Sequence, residues 1–193
     1  MPLPAENRGR LLRAATRAFL LHGYRSSVDD IARRAGVAKQ TVYAHFPSKD
    51  ALFKEVAHDL TRRVLVELES EPKDVRAGLV RFAVAYRERA LSAEGIATFR
   101  TVMPEVPRFR ALAKSMYAAS AGEMVRQLAI YLERAMDAGL LRRDDPQFAA
   151  ELLMGMLVGH DRIKRLFGVL QPNGSDAERS ARIVDCFMRV YPS

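Results

Sequence analysis

GVAKQTVYAHFPSKDAL, residues Gly36 to Leu52, packs a glycine, a polar run, the rings of Tyr43, His45 and Phe46, a proline and a charged restart into one short stretch. That is too much punctuation for one ordinary helix and too little alternation for a strand. Read outward from Gly36, it divides into a turn glycine, a short helix from about Lys39 to His45, a Phe46-Pro47 stop and a restart capped by Ser48. Upstream, Ser26-Ser27 offers an N-cap before Val28, Ile31, Ala32 and Ala35, which recur at helical spacing until Gly36 ends them. Two short helices joined by a tight turn containing Gly form a helix-turn-helix signal. Ala32 is small enough for the second helix to cross closely, and Gly36 permits the left-handed backbone of the turn. Ile31, Val37 and Val42 then meet in a small core against Phe19, which leaves Lys39, Gln40, Thr41 and Tyr43 outward. An exposed helix start rich in donors is what a DNA major groove accepts.

Helical periodicity extends over the rest of the chain. Leu11, Leu12, Ala15 and Phe19 predict a first helix over about Ala5–Leu21, stopped by His22-Gly23. After Ser48, Leu52, Val56, Leu60 and Val64 share a face. Pro72 suits the first turn of a helix reaching about Leu91. Gly95–Met103, Phe109–Ala138 (one long helix or two, closed by Gly139), Pro146–Phe167 and Asp176–Tyr191 follow, with a turn at Pro172–Gly174 before the last. No alternating hairpin pattern appears. The expected fold is all-α with about nine helices. A helix-turn-helix domain over residues 1–50 precedes a larger helical domain over residues 51–193.

Composition sets the bounds. The 193 residues are 49% hydrophobic and 28% charged, ordinary for a folded chain. Net charge is +8, and residues 1–50 hold nine Lys and Arg against four Asp and Glu. The first quarter thus carries most of the excess, which favours a polyanionic partner. A single cysteine, Cys186, excludes an intrachain disulfide, and no run of apolar residues spans a bilayer. MPLPAENRGR does not read as a secretory signal, so a cytoplasmic protein without a membrane partner is expected. His22, His45, His58 and His160 show no metal-ligand spacing, His160-Asp161 lacks further ligand pairs, and no Gly-rich phosphate loop exists. Neither an enzyme nor a cofactor is expected.

The stretch GYRSSVDDIARRAGVAKQTVYAHFPSKDAL, residues 23–52, resembles the DNA-binding segment of the TetR-type (TetR/AcrR) transcriptional regulators. The resemblance covers about residues 8–55 and rests on Gly23-Tyr24, Asp30-Ile31-Ala32, Ala35-Gly36-Val37, Thr41-Val42-Tyr43 and Phe46-Pro47-Ser48-Lys49. It implies a homodimer on a palindromic DNA operator, released when a small-molecule effector binds the larger domain. Carried over residue by residue, it implies that Ser27 binds a phosphate at a helix start. Gln40 and Thr41 read base edges, Lys39 meets a base or a phosphate, and Tyr43, His45 and Lys49 meet phosphates. Phosphate contacts set register and affinity, and base contacts set sequence. Ala38 stands where the family often has Ser or Thr, so the third helix lacks a side-chain cap. Gln40 stands where a small residue is common, and its amide can pair with adenine.

The larger domain carries no motif of similar strength. Met-rich and aromatic positions suit an apolar or aromatic effector, and the candidates are Phe82, Tyr86, Phe99, Met103, Met116, Tyr117 and Met154. The last two helices, through Leu153, Leu157, Ile183, Val184 and Phe187, are the expected dimer interface, as a four-helix bundle. The competing reading is a helical interaction module whose basic first quarter binds an acidic protein or a membrane surface.

Overall fold

The computed structural model describes residues 4–68, 71–169 and 176–192, and these form an all-α protein. Ten α-helices occur among them. They are α1 (Pro4–His22), α2 (Val28–Ala35), α3 (Lys39–His45), α4 (Lys49–Leu65), α5 (Val75–Leu91), α6 (Ala93–Val102), α7 (Arg110–Ala119), α8 (Ala121–Asp137), α9 (Pro146–Leu166) and α10 (Asp176–Val190). Single 3-10 turns at Gly23–Arg25, Val66–Leu68 and Met103–Glu105 join some of them. The stretch Phe109–Ala138 resolves into two helices, because the backbone leaves helical angles at Ser120 (φ −128°, ψ −96°). α5 starts later than Pro72 suggests: the Asp74 carboxylate accepts the Ala77 N–H at 2.9 Å and fixes the N-terminus there. The Pro172–Gly174 turn lies outside the described residues.

The chain divides into two compact units. The first is Met1–Leu60 with Ala97–Ala119, and the second is Thr61–Ile96 with Ser120–Ser193. The first unit therefore recruits the end of α6 and all of α7 to the helix-turn-helix. Its core is Leu11, Ala15, Phe19, Ile31, Val42, Phe46, Leu52 and Val56, with Leu112 and Met116 of α7 packed against it. Phe19 and Phe53 meet edge to face at 4.5 Å, a pairing worth about 1 kcal/mol beyond burial.

The second unit closes α5, α8, α9 and α10 around Leu79, Phe82, Leu128, Leu132, Leu153, Leu157, Val184 and Phe187. Arg87 lies at full burial inside it. Its guanidinium donates to the Asp161 carboxylate at 3.0 Å, to Asp176 at 2.9 Å and to the Leu157 carbonyl. Arg179 reaches Asp161 from α10 at 2.6 Å. Burial pushes the Asp161 carboxyl up, but hydrogen bonds from Arg179 and Arg87 outweigh it and hold the group below the ordinary carboxylate value.

Candidate nucleic-acid interface

The reading head is built from α2 and α3. Ser27 sits extended at the N-cap of α2, and its hydroxyl accepts the Asp29 N–H at 3.1 Å. Ser26 serves the core instead, donating to the Ala18 carbonyl at 2.8 Å. α2 ends at Gly36, which adopts φ 66°, ψ 39°. Its N–H and that of Val37 close onto the Arg33 and Ala32 carbonyls at 3.1 Å. This is a left-handed C-cap of the kind glycine adopts without strain. α3 starts at Ala38, whose extended backbone (φ −70°, ψ 149°) has cap geometry but no cap side chain. Only the Ala38 carbonyl helps, accepting the Thr41 N–H at 2.9 Å.

The faces of α3 divide as the sequence pattern demands. Val42 is buried against Ile31 and Phe19, while Lys39, Gln40 and Tyr43 are exposed and Thr41 and His45 half-buried. Phe46 is a core plug, with the Arg8 guanidinium over its ring at 5.4 Å. Ser48 accepts the Ala51 N–H at 3.0 Å and restarts the chain as α4. Lys39 is not free: its ammonium lies 3.0 Å from the Asp29 carboxylate, and that hydrogen bond raises its pKa. Lys49 in the first turn of α4 lies 4.2 Å over the Tyr24 ring, and desolvation there lowers its pKa. Of the seven proposed DNA contacts, five lie on α3, Ser27 caps α2 and Lys49 starts α4.

Tyr24 is the residue that motif reading left without a role. Its hydroxyl donates to Asp50, its ring packs on Phe53 (5.3 Å) and Phe109 (5.7 Å), and burial, then the Asp50 hydrogen bond, push its pKa up to about 12. Arg25 beside it bonds Glu105 at 2.7 Å. These contacts tie the start of α4 to α7. An apolar cleft lies there, lined by Tyr24, Phe53, Val102, Phe109, Leu112 and Met116. The signal for Tyr24 in sequence was its aromatic character next to a turn glycine, but its partner Phe109 lies too far along the chain for periodicity to link them.

Comparison with known proteins agrees with this geometry. Residues 11–56 match the family model described as bacterial regulatory proteins, tetR family. Residues 77–193 match that of the AefR-like transcriptional repressor, C-terminal domain. The chain belongs to the TetR family. A solved TetR-family transcriptional regulator of Mesorhizobium loti MAFF303099 shares 26% identity at TM-score 0.77, over 99% of both chains. The flavonoid-responsive regulator FrrA shares 29% identity at TM-score 0.74, over 97% of both. The HTH-type transcriptional regulator YdgC of Bacillus subtilis (strain 168) is 38% identical over 66 residues, and the match spans 34% of each protein. The chain thus covers about a third of that curated relative's length. Family membership makes residues 11–56 the DNA-binding helix-turn-helix segment of the TetR family.

The other sequence-derived residues disperse within this TetR fold. Phe82 and Tyr86 stack 5.9 Å apart in the core of the second unit, where Met154 is also buried. Met116 lines the cleft of the first unit, Phe99 lies in that unit outside the cleft's lining, and Met103 and Tyr117 are exposed. These seven do not form one cluster in either unit. Leu153, Leu157, Val184 and Phe187 are fully buried in their own unit, with Ile183 packed beside them. Their side chains are core, because the strongest apolar rows of α9 and α10 turn inward. The exposed row of α9 is a different one, Phe148, Gly155, Gly159 and Ile163. Among the described residues no helix is long and apolar enough to cross a membrane.

Proposed function

We propose that this TetR-family chain is a ligand-responsive repressor that acts as a homodimer on a palindromic DNA operator in the cytoplasm. The observation that carries the DNA reading is α3 itself. It is a seven-residue helix seated on buried Val42 behind a left-handed Gly36, and it presents Lys39, Gln40 and Tyr43 to solvent. Gln40 and Thr41 read base edges, and Ser27, Lys39, Tyr43, His45 and Lys49 hold phosphates.

Dimerisation uses α9 and α10, and the uncovered row Phe148, Gly155, Gly159 and Ile163 supports it. A Cβ at either glycine would meet nothing within 4 Å, so packing inside the unit requires neither glycine, and both leave room for a partner helix. The effector is a small apolar or aromatic molecule. The apolar cleft at Tyr24, Phe53, Phe109 and Met116 supports this, as does the flavonoid response in the name of FrrA. An occupant of the cleft pushes on Tyr24, which holds Asp50 and Lys49 at the start of α4.

The test is selection of genomic fragments by the purified protein in the presence of excess competitor DNA. Enrichment of one inverted-repeat site, with binding that weakens as salt rises, is the expected result. No enriched fragment sinks the reading.

A further inference from the structure

The first unit carries a second basic surface, apart from the face of α3. Arg10, Arg13 and Arg17 lie on one stripe of α1 and face Arg34 at the end of α2 across an open groove of about 350 Å³, floored by Ala14 and Ala35. The Arg10 guanidinium lies against the turn glycine: a Cβ at Gly36 would stand 2.5 Å from Arg10 Nη2. Arg34 is shared with Asp30, whose carboxylate takes its Nε at 2.6 Å and also binds Arg33. Among the described residues no carboxylate pairs with Arg10, Arg13 or Arg17. Like charges around one groove repel one another, and among the described residues only Asp30, on Arg34, offsets that repulsion.

We propose that this groove grips the sugar–phosphate backbone of DNA flanking the operator half-site. The inference rests on the DNA reading of α3. The groove borders Gly36, the turn that leads into α3, through Arg10 and Ala35, so it lies beside the helix proposed to enter the duplex. From Arg10 to Arg17 the stripe rises about 10 Å along the helix, enough to meet about two phosphates of one strand. Its floor is methyl groups rather than buried donors, and its length is open to solvent. A long polyanion fits it better than a small anion. Contacts of this kind add affinity and salt dependence without reading bases.

The experiment uses the full chain and two duplexes carrying the selected operator. One ends at the half-site edges, and the other extends ten base pairs of unrelated sequence on each side. The wild type binds the extended duplex about tenfold more tightly, with a log K against log salt slope steeper by about 2 for each head. The double variant Arg13→Gln/Arg17→Gln loses that difference, and Arg13→Lys/Arg17→Lys keeps most of it. Circular dichroism confirms that both variants are folded. Equal wild-type affinity for the two duplexes overturns the proposal, as does a Gln variant that keeps the flank effect. If inorganic phosphate protects the groove arginines from modification while flank length has no effect, the groove belongs to a small anion and the proposal fails. If neither duplex binds, the DNA reading itself falls, an outcome distinct from equal binding.

Discussion

Lys39 Nζ lies 3.0 Å from the Asp29 carboxylate, so the first residue of the reading helix is tied back to the first turn of the helix before it. The pair bridges the two halves of the helix-turn-helix on its exposed side, while Ile31 and Val42 bridge them underneath. A phosphate or base acceptor must compete with Asp29 for this ammonium. On the proposed docking of α3, the ion pair acts as a brake on DNA binding as well as a brace for the turn.

Releasing that brake strengthens binding. Asp29→Asn frees Lys39 and removes a negative charge from the side proposed to face DNA. Affinity for all sequences rises several-fold, and the salt slope steepens by about 1. Titration of operator and unrelated duplexes at three salt concentrations checks it. Weaker binding to both would show that the pair serves only to hold α3 in place.

Two neighbours on α3 separate affinity from specificity. Tyr43→Phe removes one hydroxyl donor and weakens binding to all sequences alike, by about tenfold. Gln40→Ala removes an amide able to pair with adenine, so it changes which base is preferred at one position of each half-site. Selection from a randomised operator library reads both. If both variants select the wild-type site with wild-type affinity, the docking of α3 is wrong.

The division of α3 was legible because its causes are local. Gly36 needs a left-handed turn, Ser27 caps, Val42 points inward, and the first quarter of the chain is basic. What was not legible depends on partners distant in sequence. Nothing near Tyr24 announces Phe109, and nothing near Arg87 announces Asp161 and Asp176. The α9 helix shows a further limit. Its strong row, Leu153 and Leu157, and its weaker row, Phe148 with Gly155 and Gly159, are both compatible with burial. Hydrophobic spacing finds the rows but does not say which one the chain keeps for its own core. The structure gives the Leu row to the core and leaves the glycine row uncovered.

Ala38 is a missing cap in correct cap geometry, so Ala38→Ser supplies what the backbone is already shaped to use. The hydroxyl accepts an orphan N–H of α3 and stabilises the helix by about 1 kcal/mol. Hydrogen exchange at the α3 amides slows about fivefold, while exchange in α9 is unchanged. Unaltered α3 exchange would mean that the helix opens only when the whole head unfolds.

Asp161 is the residue whose loss should cost the second unit most. It sits between Arg87 and Arg179 at 3% exposure, and Arg87 has no exposure at all. Asp161→Asn leaves the buried Arg87 charge with Asp176 and a carbonyl. Removing one partner of a buried pair costs about 3–5 kcal/mol. Urea unfolding at pH 7 measures it. The double variant Arg87→Met/Asp161→Leu, which removes the buried pair rather than one partner, recovers most of the loss. The pH dependence follows from the lowered Asp161 pKa. A carboxyl held below its unfolded value stabilises the fold above about pH 4, and that stability disappears as pH falls through the lower folded value. Wild type therefore loses stability on acidification more steeply than Asp161→Asn, and the two curves converge in acid. Equal urea midpoints at pH 7 would show that the Arg87 network contributes nothing to the fold.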